Sequence, residues 1–339
     1  MQQLRIDLNH ATYVGIDAHP TEHTAVAVNR FEEEKGILNF ENSRDGLRHF
    51  LSWLQKIDRV SENVIIGVEG RGGKGSAFIA PMLKNYEHVY EVNPQYTRQR
   101  RQFGTRGGKS DIRDARCIAE VVIRKLPELP KIIQGQLTTR LLTLKKLVWY
   151  YEEETRFGTR LKNHLHQLQR EHDLSIDIEE KKLIAQIIRE KQKELKRIGE
   201  KKDGLEVKLA TFIEGHEKNL TSVPGIGIVL AARIGAYADS LDRFATIDKF
   251  LQYAGIAPLE KASGKKKKAV QNHKGNRSLN SAMYMVALSQ ISHNPKAKKY
   301  YRKKLSEGKT KKHALRCVMK RIAMIVYGML KSGEVYREN

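Results

Sequence analysis

The 339-residue sequence predicts an α/β unit followed by a helical remainder. Three observations predict it. Residues 12–43 hold three short segments of largely apolar, strand-forming residues, and helix-like and strand-like segments then take turns as far as about residue 125. From about Gln134 to Leu220, apolar residues recur at spacings of three and four with no strand pattern. Beyond Leu220, short helical segments are separated by Gly and Pro turns. The implied domains are 10–130, 134–219 and 220–335.

Each element follows from local chemistry. The first strands are TYVGIDAH, EHTAVAVN and GILNFENS, and the short connection through Pro20 makes the first two an antiparallel hairpin. Asp45 to Ile57 is a helix with Leu47, Phe50, Leu51 and Leu54 at helical spacing, capped by Ser43 or Asp45. Asn63 to Gly70 is a short buried strand ending in a glycine-rich turn. SAFIAPMLKNY reads as a helix despite Pro81, and His88 to Pro94 as another strand. SDIRDARCIAEVVIRKL is an amphipathic helix with Ile112, Ala115, Ile118, Ala119 and Val122 on one side. The sheet is therefore mixed.

In the middle region Leu137, Leu141, Leu144, Val148 and Tyr151 form one series, resumed by Leu161, Leu165 and Leu168 after a break at Gly158. Ile184, Ile188, Leu195, Ile198, Leu205, Leu209 and Phe212 form a second. Two long helices packed as an antiparallel hairpin or as an intermolecular coiled coil fit this pattern. ATIDKFLQYAGIAP is a short helix capped at Thr246 and stopped by Gly255 and Pro258. Helices near Leu279–Ser292 and Lys312–Leu330 complete an all-α C-terminal domain.

Composition narrows the function. Lys and Arg total 62 against 39 Asp and Glu, a formal net charge of +23. The excess is concentrated: Lys261 to Arg321 holds 19 bases and one acid, Glu307. Tyr284, Tyr300, Tyr301, Leu305 and Leu315 interleave with these bases, as on a folded surface that meets nucleic acid. The longest nearly uninterrupted apolar run, Ile322 to Leu330, falls short of a membrane span, so no membrane partner is expected. The start shows no secretory signal, and Cys117 and Cys317 make neither a disulfide framework nor a zinc cluster. The expected location is the cytoplasm, at the nucleoid of a bacterium or archaeon.

The acids carry the chemistry. Asp17 closes the first strand and Glu69 the fourth, while Asp111 and Asp114 stand at i and i+3 of a helix start, on one face. Taken singly, each reads as a cap or a surface charge. Gathered at one sheet edge they would repel one another unless cations neutralise them, and hard oxygen donors suit Mg²⁺ or Mn²⁺. Two such ions clamp the attacking and leaving oxygens of a phosphodiester. Acids at the first-strand end, the fourth-strand end and a late helix are the layout of the RNase H-like fold. The turn Gly70 to Ser76 fails the P-loop pattern, because Val68 stands where the first Gly is required. Its N–H groups with Arg71 or Lys74 still suit a phosphate. Gly225 and Gly227, in SVPGIG before a helix, resemble a helix-hairpin-helix turn, another backbone phosphate site.

The segments YVGIDAH, VEGRGGKG, EVNPQYTRQRRQFGTRGGKSDIRDA, SVPGIG, LQYAGIAP, ASGKKKK and KGNRSLN resemble, in this order, the insertion-sequence transposases with a RuvC-like DEDD domain and a C-terminal serine domain. These are the bridge-RNA-guided recombinases of mobile elements. The resemblance runs from about Tyr13 to Tyr327. It implies that Asp17, Glu69, Asp111 and Asp114 are the metal ligands and that Ser263 is the nucleophile. It also implies donor and target DNA as substrates, a guide RNA as partner, and assembly into homodimers or homotetramers. Basic residues in or beside the motifs are expected nucleic-acid contacts: Arg100, Arg101, Lys109, Lys265, Lys266, Lys267, Lys268, Lys274 and Arg277. The sequence departs from the family pattern at Ser110, where Thr is frequent, and at Lys74, where Tyr is frequent; neither is a ligand position. Two other readings use the same residues: a resolvase-like nuclease in which the carboxylates activate water, and a DNA binder without catalysis.

Overall fold

The computed structural model describes residues 6–69, 76–102, 110–132, 139–238, 241, 244, 246–257, 259–263, 266–270 and 275–337. For residues 76, 102, 139, 259–263 and 266–270 the backbone alone is described. The predicted turn at 70–75, Leu137 and Pro258 lie outside the described residues. The chain divides into two compact units, Met1–Thr138 and Thr139–Asn339.

Five strands build the first unit: β1 (Thr12–Ala18), β2 (Glu22–Val28), β3 (Glu34–Glu41), β4 (Val64–Glu69) and β5 (Val89–Val92). Their order is β3-β2-β1-β4-β5. β1 to β3 form an antiparallel meander, and β4 and β5 extend it in parallel from β1. The sheet is mixed, as predicted, and compatible with an RNase H-like arrangement. On one face Tyr13, Val26, Val28, Ile65, Tyr90 and Val92 pack against Ala115, Ile118, Ala119 and Val122 of α4 (Asp111–Lys125). Residues of the other parity, with Phe40 stacked on Phe50 of α1 (Arg44–Ile57) at 4.7 Å, form the opposite layer.

Two glycines set how closely α4 approaches. A Cβ on Gly15 would overlap the Ala115 carbonyl and lie 2.5 Å from the Ala119 amide nitrogen. One on Gly67, the parallel register partner of Gly15, would overlap Val122. Ser43 rather than Asp45 caps α1, its hydroxyl accepting from the Gly46 amide at 3.0 Å.

Three local readings change. SAFIAPMLKNY is not a full helix: one 3₁₀ turn precedes a four-residue helix, α2 (Ile79–Met82). Pro81 is tolerated there because a first turn has no use for its missing N–H. Pro94–Gln102 forms an unpredicted helix, α3; its residues are so polar that no apolar stripe announced it. Ile112 is 41% exposed, and the buried face of α4 begins instead at Asp114.

In the second unit α5 (Thr139–Leu174) and α6 (Ile178–Phe212) form an intramolecular antiparallel hairpin. Leu168 packs with Ile184 and Ile188 near its tip, while Leu144, Val148 and Leu209 enter the main core at its base. Asp177 caps α6 by accepting from the amides of Glu179 and Glu180 at 2.7 and 3.0 Å. The expected break at Gly158 is absent. α5 runs through it, and the missing side chain brings Ile198 of α6 within 3.4 Å of a built Cβ. Arg140 donates to Glu217 at 2.8 Å, and Glu152 pairs with Arg233 at 2.7 Å.

The core of this unit is completed by α7 (Gly215–Asn219), α8 (Ile228–Ala238), α9 (Ile247–Tyr253), α10 (Arg277–His293), α11 (Pro295–Ser306) and α12 (Lys311–Ser332). It is not all-α. β6 (Leu259–Ser263) and β7 (Lys266–Val270) pair as an antiparallel hairpin. β7 opens on three lysines and β6 holds Glu260 and Lys261, so neither strand shows an apolar alternation for a sequence reading to find. α11 was also unpredicted, its basic sequence hiding a start signalled by the Asn294 cap and Pro295. Among the described residues no helix is long and apolar enough to cross a membrane.

Gly15→Ala is expected to lower unfolding free energy by about 3 kcal/mol in denaturant titrations, because α4 must lift off the sheet. Gly199→Ala and Gly204→Ala, exposed in α6 with nothing within 4 Å of a built Cβ, should each stabilise by about 0.5–1 kcal/mol in the same assay.

Candidate active site

Register brings the first two acids together. Ile16 pairs with Val68, so Asp17 and Glu69 follow side by side at the C-terminal ends of adjacent parallel strands. Both continue the parity of Gly15 and Gly67, the face that α4 covers. Close helix packing then lays the first turn of α4 over the same edge and delivers Asp114, which is buried. Ser110 caps that helix by accepting from the Arg113 amide at 3.2 Å. Asp111, the first residue of α4, is exposed.

Asp17 and Asp114 lie near enough to Glu69 to act on its charge. The Glu69 carboxyl is raised above its ordinary value, chiefly by burial and further by the charges of Asp17 and Asp114, while the Thr97 hydroxyl and Arg101 oppose the rise. Thr97, fully buried in α3, donates to Glu69 Oε2 at 3.2 Å. Arg101, also in α3, donates to Asp114 Oδ2 at 2.7 Å. Asp114 Oδ1 is buried with no hydrogen-bond partner. The sequence reading missed Thr97 because it missed α3. Its signal was Pro94 at a helix start with Thr97 and Arg101 one turn apart.

Among the described residues no three His, Cys, Asp or Glu side chains converge into a ready metal-holding group. The donor chemistry nonetheless fits a hard divalent cation: the donors are all carboxylate oxygens, one is buried and unpaired, and burial, with a smaller push from the neighbouring acids, raises Glu69.

The expected nucleic-acid contacts divide. Arg100 is engaged by Glu120 and, at 3.4 Å, by Glu32, and Arg101 by Asp114. Gly225, at φ 85°, shapes the turn before α8, where a Cβ would press on Ser289 Oγ at 2.9 Å. Gly227 has open space around it, and Arg277 is exposed at the start of α10. Arg71, Lys74, Lys109, Lys265 and Lys274 lie outside the described residues, as do the side chains of Ser263, Lys266, Lys267 and Lys268. On the basic helices, the Arg321 guanidinium stands 4.6 Å from the Tyr300 ring centroid.

The described residues of two motifs, LQYAGIAP and KGNRSLN, are hydrogen-bonded to each other. The Asn276 amide donates to Tyr253 O at 2.6 Å and Asn280 Nδ2 to Ala254 O at 2.9 Å. Arg316 of α12 binds the carbonyls of Gly255 and Ile256 at 2.8 and 3.0 Å. In the β6–β7 ladder the Ser263 backbone pairs with Lys266, at the opposite end from the Leu259–Val270 pair.

Comparison with known proteins gives concordant matches. A model of the DEDD transposase domain of IS110-type elements matches residues 14–172, and one described as transposase, IS116/IS110/IS902 family, matches residues 217–302. The 43.6-kDa protein of insertion element IS110 from Streptomyces coelicolor is 30% identical over 142 residues, 41% of this chain and 35% of the relative. The 42-kDa protein of IS900 from Mycobacterium paratuberculosis is 30% identical over 123 residues, 36% and 31% of the two chains. The 44.8-kDa protein of IS116 from Streptomyces clavuligerus is 27% identical over 118 residues, 34% and 30%. The matches span about a third of the length of these relatives.

A mixed sheet with acids at its edge, joined to a basic helical unit, fits the class of insertion-element transposases with a DEDD domain. Within that class the chain belongs to the IS116/IS110/IS902 family.

Because the folded-state value of Glu69 is raised, its ionisation above the reference value of 4.5 destabilises the metal-free fold. Glu69→Gln is therefore expected to raise the thermal midpoint at pH 7 in chelator. The gap should close as pH falls below 4.5, where wild type is protonated in both states. Thermal unfolding across that range checks it.

Proposed function

We propose that this chain is a DNA transposase that cuts and rejoins strands by metal-dependent phosphoryl transfer. The observation that carries the reading is the gathering of Asp17, Glu69 and Asp114 at one sheet edge, with one buried carboxylate oxygen unpaired. Asp111, one turn before Asp114 on the same helix face, completes the acidic set. Magnesium or manganese, in a pair of ions, would neutralise these carboxylates and stabilise charge developing on the transferred phosphate.

Ser263 is the nucleophile in this reading. Its Oγ forms a bond to phosphorus, the bond from phosphorus to the departing deoxyribose oxygen breaks, and that oxygen takes up a proton. The seryl phosphodiester conserves the bond for rejoining to another strand. A serine hydroxyl is a weak nucleophile by itself, so Ser263 must reach the acidic set within one chain or across an assembly. Lys265, Lys266, Lys267 and Lys268 follow it directly in sequence and hold phosphates near it, with Lys274, Arg277, Lys109, Arg71 and Lys74 extending the track. A guide RNA supplies sequence recognition by base pairing. Homodimers or homotetramers form through the α5–α6 hairpin, whose exposed Trp149, Phe157, Leu183 and Val207 support that role.

The test incubates the protein, with co-purifying RNA, with element-end and target DNA in Mg²⁺ and reads denaturant-resistant protein–DNA adducts. Wild type is expected to form them. Ser263→Ala should form none, and Asp17→Ala should be slowed by about a thousandfold, the scale of several kcal/mol of charge stabilisation. Cleavage without adduct, unchanged in Ser263→Ala, would establish hydrolysis instead.

A further inference from the structure

α3 turns two residues, one helical turn apart, toward the acidic edge. Thr97 grips Glu69, as described above. Arg101 grips Asp114 at 2.7 Å with its side chain 30% exposed, whereas the Asp114 side chain is only 5% exposed. The Arg101 backbone is itself held, since Arg113 Nη2 donates to its carbonyl at 3.2 Å. One Asp114 oxygen thus faces a cation and the other is buried and unpaired. A buried carboxylate in that state, beside two more acids, depends on its counter-ion. The ion pair also places a fixed positive charge on the carboxylate that a cation would have to share.

We propose that Arg101 is a resident counter-ion of the acidic edge: it holds Asp114 in the metal-free protein, competes with a divalent cation for that carboxylate, and leaves it when the cation binds. The proposal rests on the metal-dependent reading above. Its consequence is a threshold, because the acidic set fills only at metal concentrations that displace the guanidinium. Arg101 is then a regulatory contact and not a standing phosphate ligand.

The test measures Mn²⁺ binding to the full chain without DNA, by calorimetry and by the electron-spin signal of free Mn²⁺. Wild type, Arg101→Gln, Arg101→Lys, Asp114→Asn and the double variant run side by side. Arg101→Gln should bind Mn²⁺ roughly tenfold more tightly than wild type, equivalent to about 1.4 kcal/mol of competition removed. Arg101→Lys should fall between them, a point charge lacking the planar fork. Asp114→Asn should abolish the gain in the double variant. Thermal midpoints in chelator and in Mn²⁺ supply a second readout. Arg101→Gln should be less stable than wild type in chelator and gain more from Mn²⁺, and this linkage reports affinity even if the variant unfolds without metal.

Equal Mn²⁺ affinity in wild type and Arg101→Gln, with weakening in Asp114→Asn, would overturn the competition and leave the metal reading standing. Absence of Mn²⁺ binding in every variant, Arg101→Gln included, would overturn both.

Discussion

The close seating of α4 on the sheet is the contact on which the first unit depends. Gly15 and Gly67 stand side by side on adjacent parallel strands, and any side chain there would collide with α4. With both absent, the helix settles until its first turn reaches the C-terminal ends of β1 and β4. Asp114 is carried there by the helix and Asp17 and Glu69 by the strands. The same two glycines therefore fix the core and assemble the acids. Any change that lifts α4 from the sheet separates the carboxylates as it loosens the packing.

That assembly is electrostatically strained. Three carboxylates approach one another under partial burial, the rise in Glu69 comes first from that burial and further from the neighbouring charges, and one Asp114 oxygen lacks a partner. The fold tolerates this through α3, which brings a hydroxyl to one acid and a guanidinium to another. Unfavourable energy of this sort is characteristic of sites that await a ligand, since a core selected only for stability would neutralise the acids or omit them.

The second unit shows a different device. A two-stranded ribbon seldom holds its shape alone, and this one is rich in lysine. The segments that precede and follow it in sequence are joined by the Asn276 amide on Tyr253 O and the Asn280 side chain on Ala254 O, with Arg316 of α12 on the carbonyls of Gly255 and Ile256. Two of the motifs that make the sequence recognisable, on either side of Ser263, thus hold each other.

Much of this was legible in the sequence. The strands, the order of long helices, the caps at Ser43 and Thr246, the concentration of charge and the four acids all follow from side-chain chemistry within a few residues. The segments it concealed share one property: α3, α11 and the β6–β7 hairpin are too polar to show a buried face, and they form against adjoining elements, α3 on α4, α11 on α10 and α12, and β6 on β7. Gly158 looked like a break because a helix read alone loses stability at glycine, yet α6 packs against that gap. Periodicity and local propensity are properties of the chain by itself, so the sequence determined the elements with an apolar pattern and the family. Which acids come near one another and what cation already stands on Asp114 are decided by contacts between residues apart in sequence. No local pattern encodes those contacts, and only the tertiary structure makes them.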